Sequence, residues 1–215
     1  LRKRLVPVAL FGVAMAYLEA AVVVYLRRLM GVVEPWRDAS AYDPFIAAVE
    51  VGREAATLVM LAALGWACGR NTQSRLGFFL FSFGVWDIFY YVWLKALVGW
   101  PGSLLTPDIL FLIPLPWWGP VMAPVLIALL MCAAGLAAIA FDDRDRALRL
   151  RALDWLLIAA GIGAMLYAFM ADAIAMLPAS AEALSQLHPA GFRWPVYAIG
   201  FVLVVAGVVR PLRRP

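Results

Sequence analysis

Six long apolar runs, separated by short polar segments, leave this chain almost no way to fold except across a membrane. A transmembrane helix needs about 20 apolar residues. Runs of that kind cover residues 5–26, 44–68, 76–98, 119–141, 154–177 and 195–209, the last one short. The expected fold is an all-α integral membrane protein, a single polytopic domain over residues 1–215. The opening Leu-Arg-Lys-Arg imitates a signal peptide. Residues 5–26 are too long for a signal h-region and lack a small-residue cleavage site, so they are expected to form the first span.

Composition supports the same class. Hydrophobic residues make up 65% and charged residues 15% of the chain, against about 45–50% and about 25% in ordinary soluble domains. Mean hydropathy is +0.87. Those figures exclude a soluble enzyme, a disordered chain and a nucleic-acid binder with a basic face. Cys68 and Cys132 both fall inside apolar runs, far from any ligand partner in sequence, which argues against a disulfide framework or a zinc site. With His188 the only histidine, a haem held by two histidines of this chain is excluded.

The segment between the third and fourth spans breaks the pattern. It holds Pro101, Pro107, Pro114 and Pro116, with Pro120 just beyond. Thr106-Pro107-Asp108 has the form of a helix start: a cap, a proline in the first turn and an acid beside it. Ile109–Ile113 is too short to span, so a short re-entrant or interfacial helix is expected there.

Basic residues predict orientation. Arg2, Lys3, Arg4, Arg70, Arg75, Arg144, Arg146, Arg149, Arg151, Arg210, Arg213 and Arg214 fall on one side; Arg27, Arg28, Arg37, Lys95 and Arg193 fall on the other. The positive-inside rule then puts both termini in the cytoplasm, in the cell (inner) membrane. Trp36, Trp93, Trp100, Trp117, Trp118 and Trp194 gather at the opposite interface, as an aromatic belt does.

Ionisable residues inside the spans are costly, at least about 2.5 kcal/mol each near the bilayer centre, and so mark candidate sites. They are Glu19, Glu50, Arg53, Glu54, Asp87, Lys95 and Asp172. All fall in the half of the membrane away from the basic loops or near its middle. Glu50, Arg53, Glu54 and Thr57 share one helical stripe; Gly84, Asp87, Tyr91 and Lys95 share another, with Tyr90 beside it. The two stripes are expected to wall one cavity, which Glu19 and Asp172 would join. Carboxylates outnumber cations there, so protons or a bound cation would have to balance the surplus. The bland alternative is an ion-pair triad of Glu50, Arg53 and Glu54 that fixes helix packing, with Lys95 snorkelling to headgroups.

No phosphate-binding loop, zinc-protease motif, nucleophile elbow or dinucleotide fingerprint is present. Three function classes follow. The first is binding or transport of a small polar or cationic solute or metal ion, with Glu50, Arg53, Glu54, Asp87, Tyr91, Lys95, Glu19 and Asp172 as ligand-binding residues. A divalent cation would draw on Glu50, Glu54 and Asp87, whereas neighbouring aromatic rings suit an organic cation. The second is an enzyme acting on a lipid or isoprenoid, with Glu54 and Asp87 as acid and base. The third is a non-catalytic subunit whose charges meet a membrane partner. The expected partners are the bilayer, a small ligand and a membrane subunit, with no nucleic acid.

Overall fold

The computed structural model describes residues 2–29, 44–178 and 191–214. Six helices cover most of them: α1 (Arg2–Leu29), α2 (Pro44–Cys68), α3 (Thr72–Val98), α4 (Met122–Asp142), α5 (Ala152–Ala175) and α6 (Trp194–Leu212). Each is long and apolar enough to cross a membrane. Large apolar side chains such as Leu10, Leu18, Val59, Leu156 and Val202 face outward along their lengths. A soluble protein could not sustain that surface; a bilayer supplies its solvent.

Local chemistry sets the helix ends. The third helix starts at Thr72, earlier than the apolar run suggests, because Asn71 accepts from the Ser74 amide at 3.0 Å and Ser74 Oγ accepts back from the Asn71 amide at 3.2 Å. This reciprocal cap satisfies two amides that the helix leaves over. Its far end closes on Gly99, which sits at φ 72°, a left-handed conformation that glycine adopts without penalty.

Helix α3 is the hub, packing on α1, α2 and α4, while α5 and α6 pack chiefly on each other. Gly84 lets α3 approach α4 closely: a Cβ there would lie 2.6 Å from Cys132 Sγ. Gly161 and Gly200 do the same between α5 and α6, where a Cβ on Gly200 would lie 2.7 Å from the Gly161 carbonyl oxygen. Small residues at such crossings exchange side-chain volume for backbone proximity, the usual route to tight packing in membranes.

The segment between α3 and α4 corrects the sequence expectation. No helix forms over Ile109–Ile113. Instead β1 (Pro107–Ile109) pairs antiparallel with β2 (Trp118–Pro120), Asp108 opposite Gly119. Further backbone bonds prolong the hairpin in both directions: Leu110 N to Trp117 O at 2.9 Å and Trp117 N to Phe111 O at 2.8 Å toward the tip, Met122 N to Leu104 O at 2.8 Å toward the base. The prolines explain the outcome. Pro114 and Pro116 would end any helix begun at Pro107 within two turns, whereas a hairpin satisfies its amides across the ladder and leaves the prolines in the turn. Gly119 and Pro120 thereby belong to a strand, so α4 begins at Met122.

The hairpin is a wedge. Phe111 packs on the cluster of Met15, Ala16, Leu61 and Trp86 from α1, α2 and α3. Leu110 and Trp117 pack on the opposite cluster of Ala123, Met165, Phe169, Tyr197 and Val204 from α4, α5 and α6.

Candidate functional site

Of the expected site residues, Glu19, Glu50, Arg53 and Glu54 meet at the hairpin end of α1 and α2. Arg53 bridges two helices: its guanidinium pairs with Glu19 of α1 and with Glu50 one turn back on its own helix, Nε to Oε2 at 2.9 Å. Thr57 donates its hydroxyl to the same Glu19. Glu19 and Glu54 are each only 6% exposed and Thr57 2%, so the knot is buried on that side, while Arg53 and Glu50 are half-buried.

Glu54 faces the hairpin. The Leu112 amide donates to both its carboxylate oxygens at 3.0 Å, and the Ile113 amide adds to them. These amides lie at the hairpin tip, beyond the ladder. At 1.5 Å per residue, Glu54 lies about 15 Å along α2 from Pro44, so the tip dips well into the bundle. Backbone donors left bare at that depth would cost several kcal/mol each. Glu54 is the acceptor that removes this penalty.

A second group sits where α3 meets β1. Tyr91, 6% exposed, donates to Asp108 at 3.1 Å, and Asp108 is itself 4% exposed. Burial pushes the Asp108 carboxyl up to about 6, against the pull of the Arg27 guanidinium and the Tyr91 hydroxyl. Asp87 stands within electrostatic range of Asp108 but has no hydrogen-bond or ion-pair partner among the described residues. Arg27 lies over the Trp100 ring, 4.5 Å from its centroid.

Two expected members lie elsewhere. Lys95 joins no carboxylate among the described residues: its ammonium donates to the carbonyls of Gly99 at 3.0 Å and Pro101 at 2.8 Å, so it closes the C-terminal end of α3, where the helix dipole favours a cation. Asp172 pairs with Arg193 at 2.8 Å between α5 and α6, away from α1, α2 and α3. Among the described residues no three His, Cys, Asp or Glu side chains form a group able to hold a metal ion, so Glu50, Glu54 and Asp87 do not make one. Glu54 and Asp87, the expected acid and base, have different neighbours: the hairpin amides for Glu54 and Asp108 for Asp87. His188 lies outside the described residues.

Asp172 instead borders a cavity that the sequence did not suggest. Its volume is about 440 Å³, within the range of small-molecule sites, about 300–1,000 Å³. The hairpin, the end of α5 and the residues leading into α6 enclose it, with Trp118, Phe169, Phe192, Trp194 and Ala168 in its wall. Asp172 is the one ionisable side chain in that lining among the described residues. Trp118 is 7% exposed, and its indole N–H has no acceptor among the described residues. A buried donor without a partner costs about 1–3 kcal/mol. The aromatic density of Trp117-Trp118 and Phe192-Arg193-Trp194 was the available signal. Without knowing that the hairpin folds back onto α5, the two stretches had no reason to be joined.

No protein-family model matches the chain, and no curated protein or solved structure does either.

Proposed function

We propose that this multi-pass membrane protein binds, and moves across or out of the membrane, a small polar or cationic solute taken up at the hairpin end. The aromatic cavity with Asp172 in its wall carries this reading. The knot of Glu19, Glu50, Arg53 and Glu54 then serves to seat the hairpin that forms one wall of the cavity, rather than to touch the solute. The crowding of arginines at the other end supports a hairpin end facing outward and both termini in the cytoplasm of a cell's inner membrane.

Native mass spectrometry of the protein purified in detergent tests the reading. A small molecule should travel with the wild-type chain and be lost from Ala168→Leu and Leu105→Trp, which narrow the cavity. Identical spectra for all three, together with no solute that raises the melting temperature of the wild type alone, would sink it.

One observation favours a second reading, a subunit of a larger membrane assembly. The exposed face of α2 carries Ala48, Gly52, Ala55, Ala56 and Ala63, and nothing lies within 4 Å of a Cβ placed on Gly52. Small residues on a lipid-facing helix suit close packing of a second helix. Gly52→Leu should shift the assembly to smaller mass if that face is used.

A further inference from the structure

We infer that the solute is a small zwitterion, an organic ammonium joined by a short spacer to a carboxylate or phosphate. This rests on the cavity being the binding site. Four aromatic rings, Trp118, Phe169, Phe192 and Trp194, line it, and the negative faces of such rings attract ammonium groups, above all quaternary ones. Among the described residues the one charged lining group is a carboxylate, Asp172, and its partner at 2.8 Å is the guanidinium of Arg193, which sits at the cavity's edge between the lining residues Phe192 and Trp194. That pair decides between ligand classes. A bare cation drawn to Asp172 meets a guanidinium already there. A bare anion drawn to Arg193 meets the Asp172 carboxylate. A zwitterion offends neither: its ammonium faces Asp172 and the rings, and its anionic end faces Arg193.

The arrangement has a chemical economy. Arg193 is 35% exposed and Asp172 16%, so their pair sits at the rim, where water can exchange with it. A zwitterion replaces one salt bridge with two and leaves no ion unpaired. The aromatic wall then excludes water from the ammonium.

Four probes in lipid nanodiscs separate the possibilities: glycine betaine as the zwitterion, choline as the cation, pivalate as the anion and 3,3-dimethylbutanol as the uncharged isostere. Binding is read from tryptophan fluorescence and calorimetry on the full chain. Betaine should bind at least about tenfold more tightly than any of the other three. Asp172→Asn and Arg193→Gln should each weaken betaine about tenfold, and Trp118→Phe should weaken it less. The double exchange Asp172→Arg with Arg193→Asp keeps an ion pair and guards against mere unfolding. It should retain the wild-type melting temperature and still lose betaine. Choline or the neutral alcohol binding as well as betaine, with Ala168→Leu abolishing both, would overturn the zwitterion while leaving the cavity as the site. Failure of all four probes would overturn both.

Discussion

The two ends of the bundle handle charge in opposite ways. At the arginine-rich end three carboxylates, Asp142, Asp143 and Asp154, each have more than one partner. Asp154 is met by Arg214 at 2.6 Å and Arg210 at 3.1 Å. Asp143 lies between Arg4 and Arg70, the latter at 3.6 Å, and Asp142 takes Arg70 at 3.2 Å together with Asn71. At the hairpin end the ratio is inverted. Glu19 and Glu50 share the single guanidinium of Arg53, and Glu54 and Asp108 rely on amides and a hydroxyl. Redundant pairing tolerates the loss of one member; singular pairing does not. The hairpin end is thus the more specific construction and the more fragile one.

The largest expected effect is Arg53→Ala. It strands Glu19 and Glu50 without their cation; breaking a fully buried pair costs about 3–5 kcal/mol, and the partial exposure of Arg53 and Glu50 puts this loss toward the lower figure. The melting temperature of the purified protein should fall steeply. A shift no greater than that of an arginine variant at the opposite end would break the contrast.

Next is the pH response. With its carboxyl near 6 in the folded protein against about 4 in an unfolded chain, Asp108 holds its proton more tightly when folded. Its contribution is therefore full below about pH 4 and is lost as pH rises through 6, a change of about 3 kcal/mol. Unfolding followed between pH 4 and 8 should show this decline, and Asp108→Asn should make it shallower, since the amide oxygen still accepts from Tyr91.

Glu54→Gln comes third. Its remaining carbonyl oxygen keeps one tip amide satisfied, so the loss should be about 1–2 kcal/mol, with faster hydrogen exchange at Leu112 and Ile113. Protection at those amides equal to wild type would show that the hairpin does not depend on Glu54. Smallest is Arg4→Ala. Arg70 remains beside Asp143, the Arg4 side chain is 33% exposed, and a pair of that kind is worth about 0–1 kcal/mol. Chemical denaturation should barely distinguish it from wild type.

Six spans were legible because apolar length is a property of the sequence itself. The inward stripe of Glu50, Arg53 and Glu54 was legible for the same reason, as helical periodicity fixes a shared face. What each acid touches was not. Glu54 is held by the backbone of residues 112 and 113, and an amide leaves no trace in residue identity. Lys95 sits on the Asp87 stripe, yet its ammonium donates to the carbonyls of Gly99 and Pro101 just past the end of its own helix. Asp172 was grouped with α2 and α3 because depth was readable while helix adjacency was not; α5 pairs with α6. Thr106-Pro107-Asp108 misled because a proline after a capping residue opens a strand as readily as a helix, and the later prolines decide.

The contact between Gly161 and Gly200 has a mechanical consequence. It fastens α5 to α6 backbone against backbone, while that pair meets the remaining helices chiefly along α4 and the second hairpin strand. Any slow breathing of the molecule would therefore swing the two helices together, like one jaw of a clamp, with Asp172 and Phe169 riding on it and Trp118 left on the stationary side.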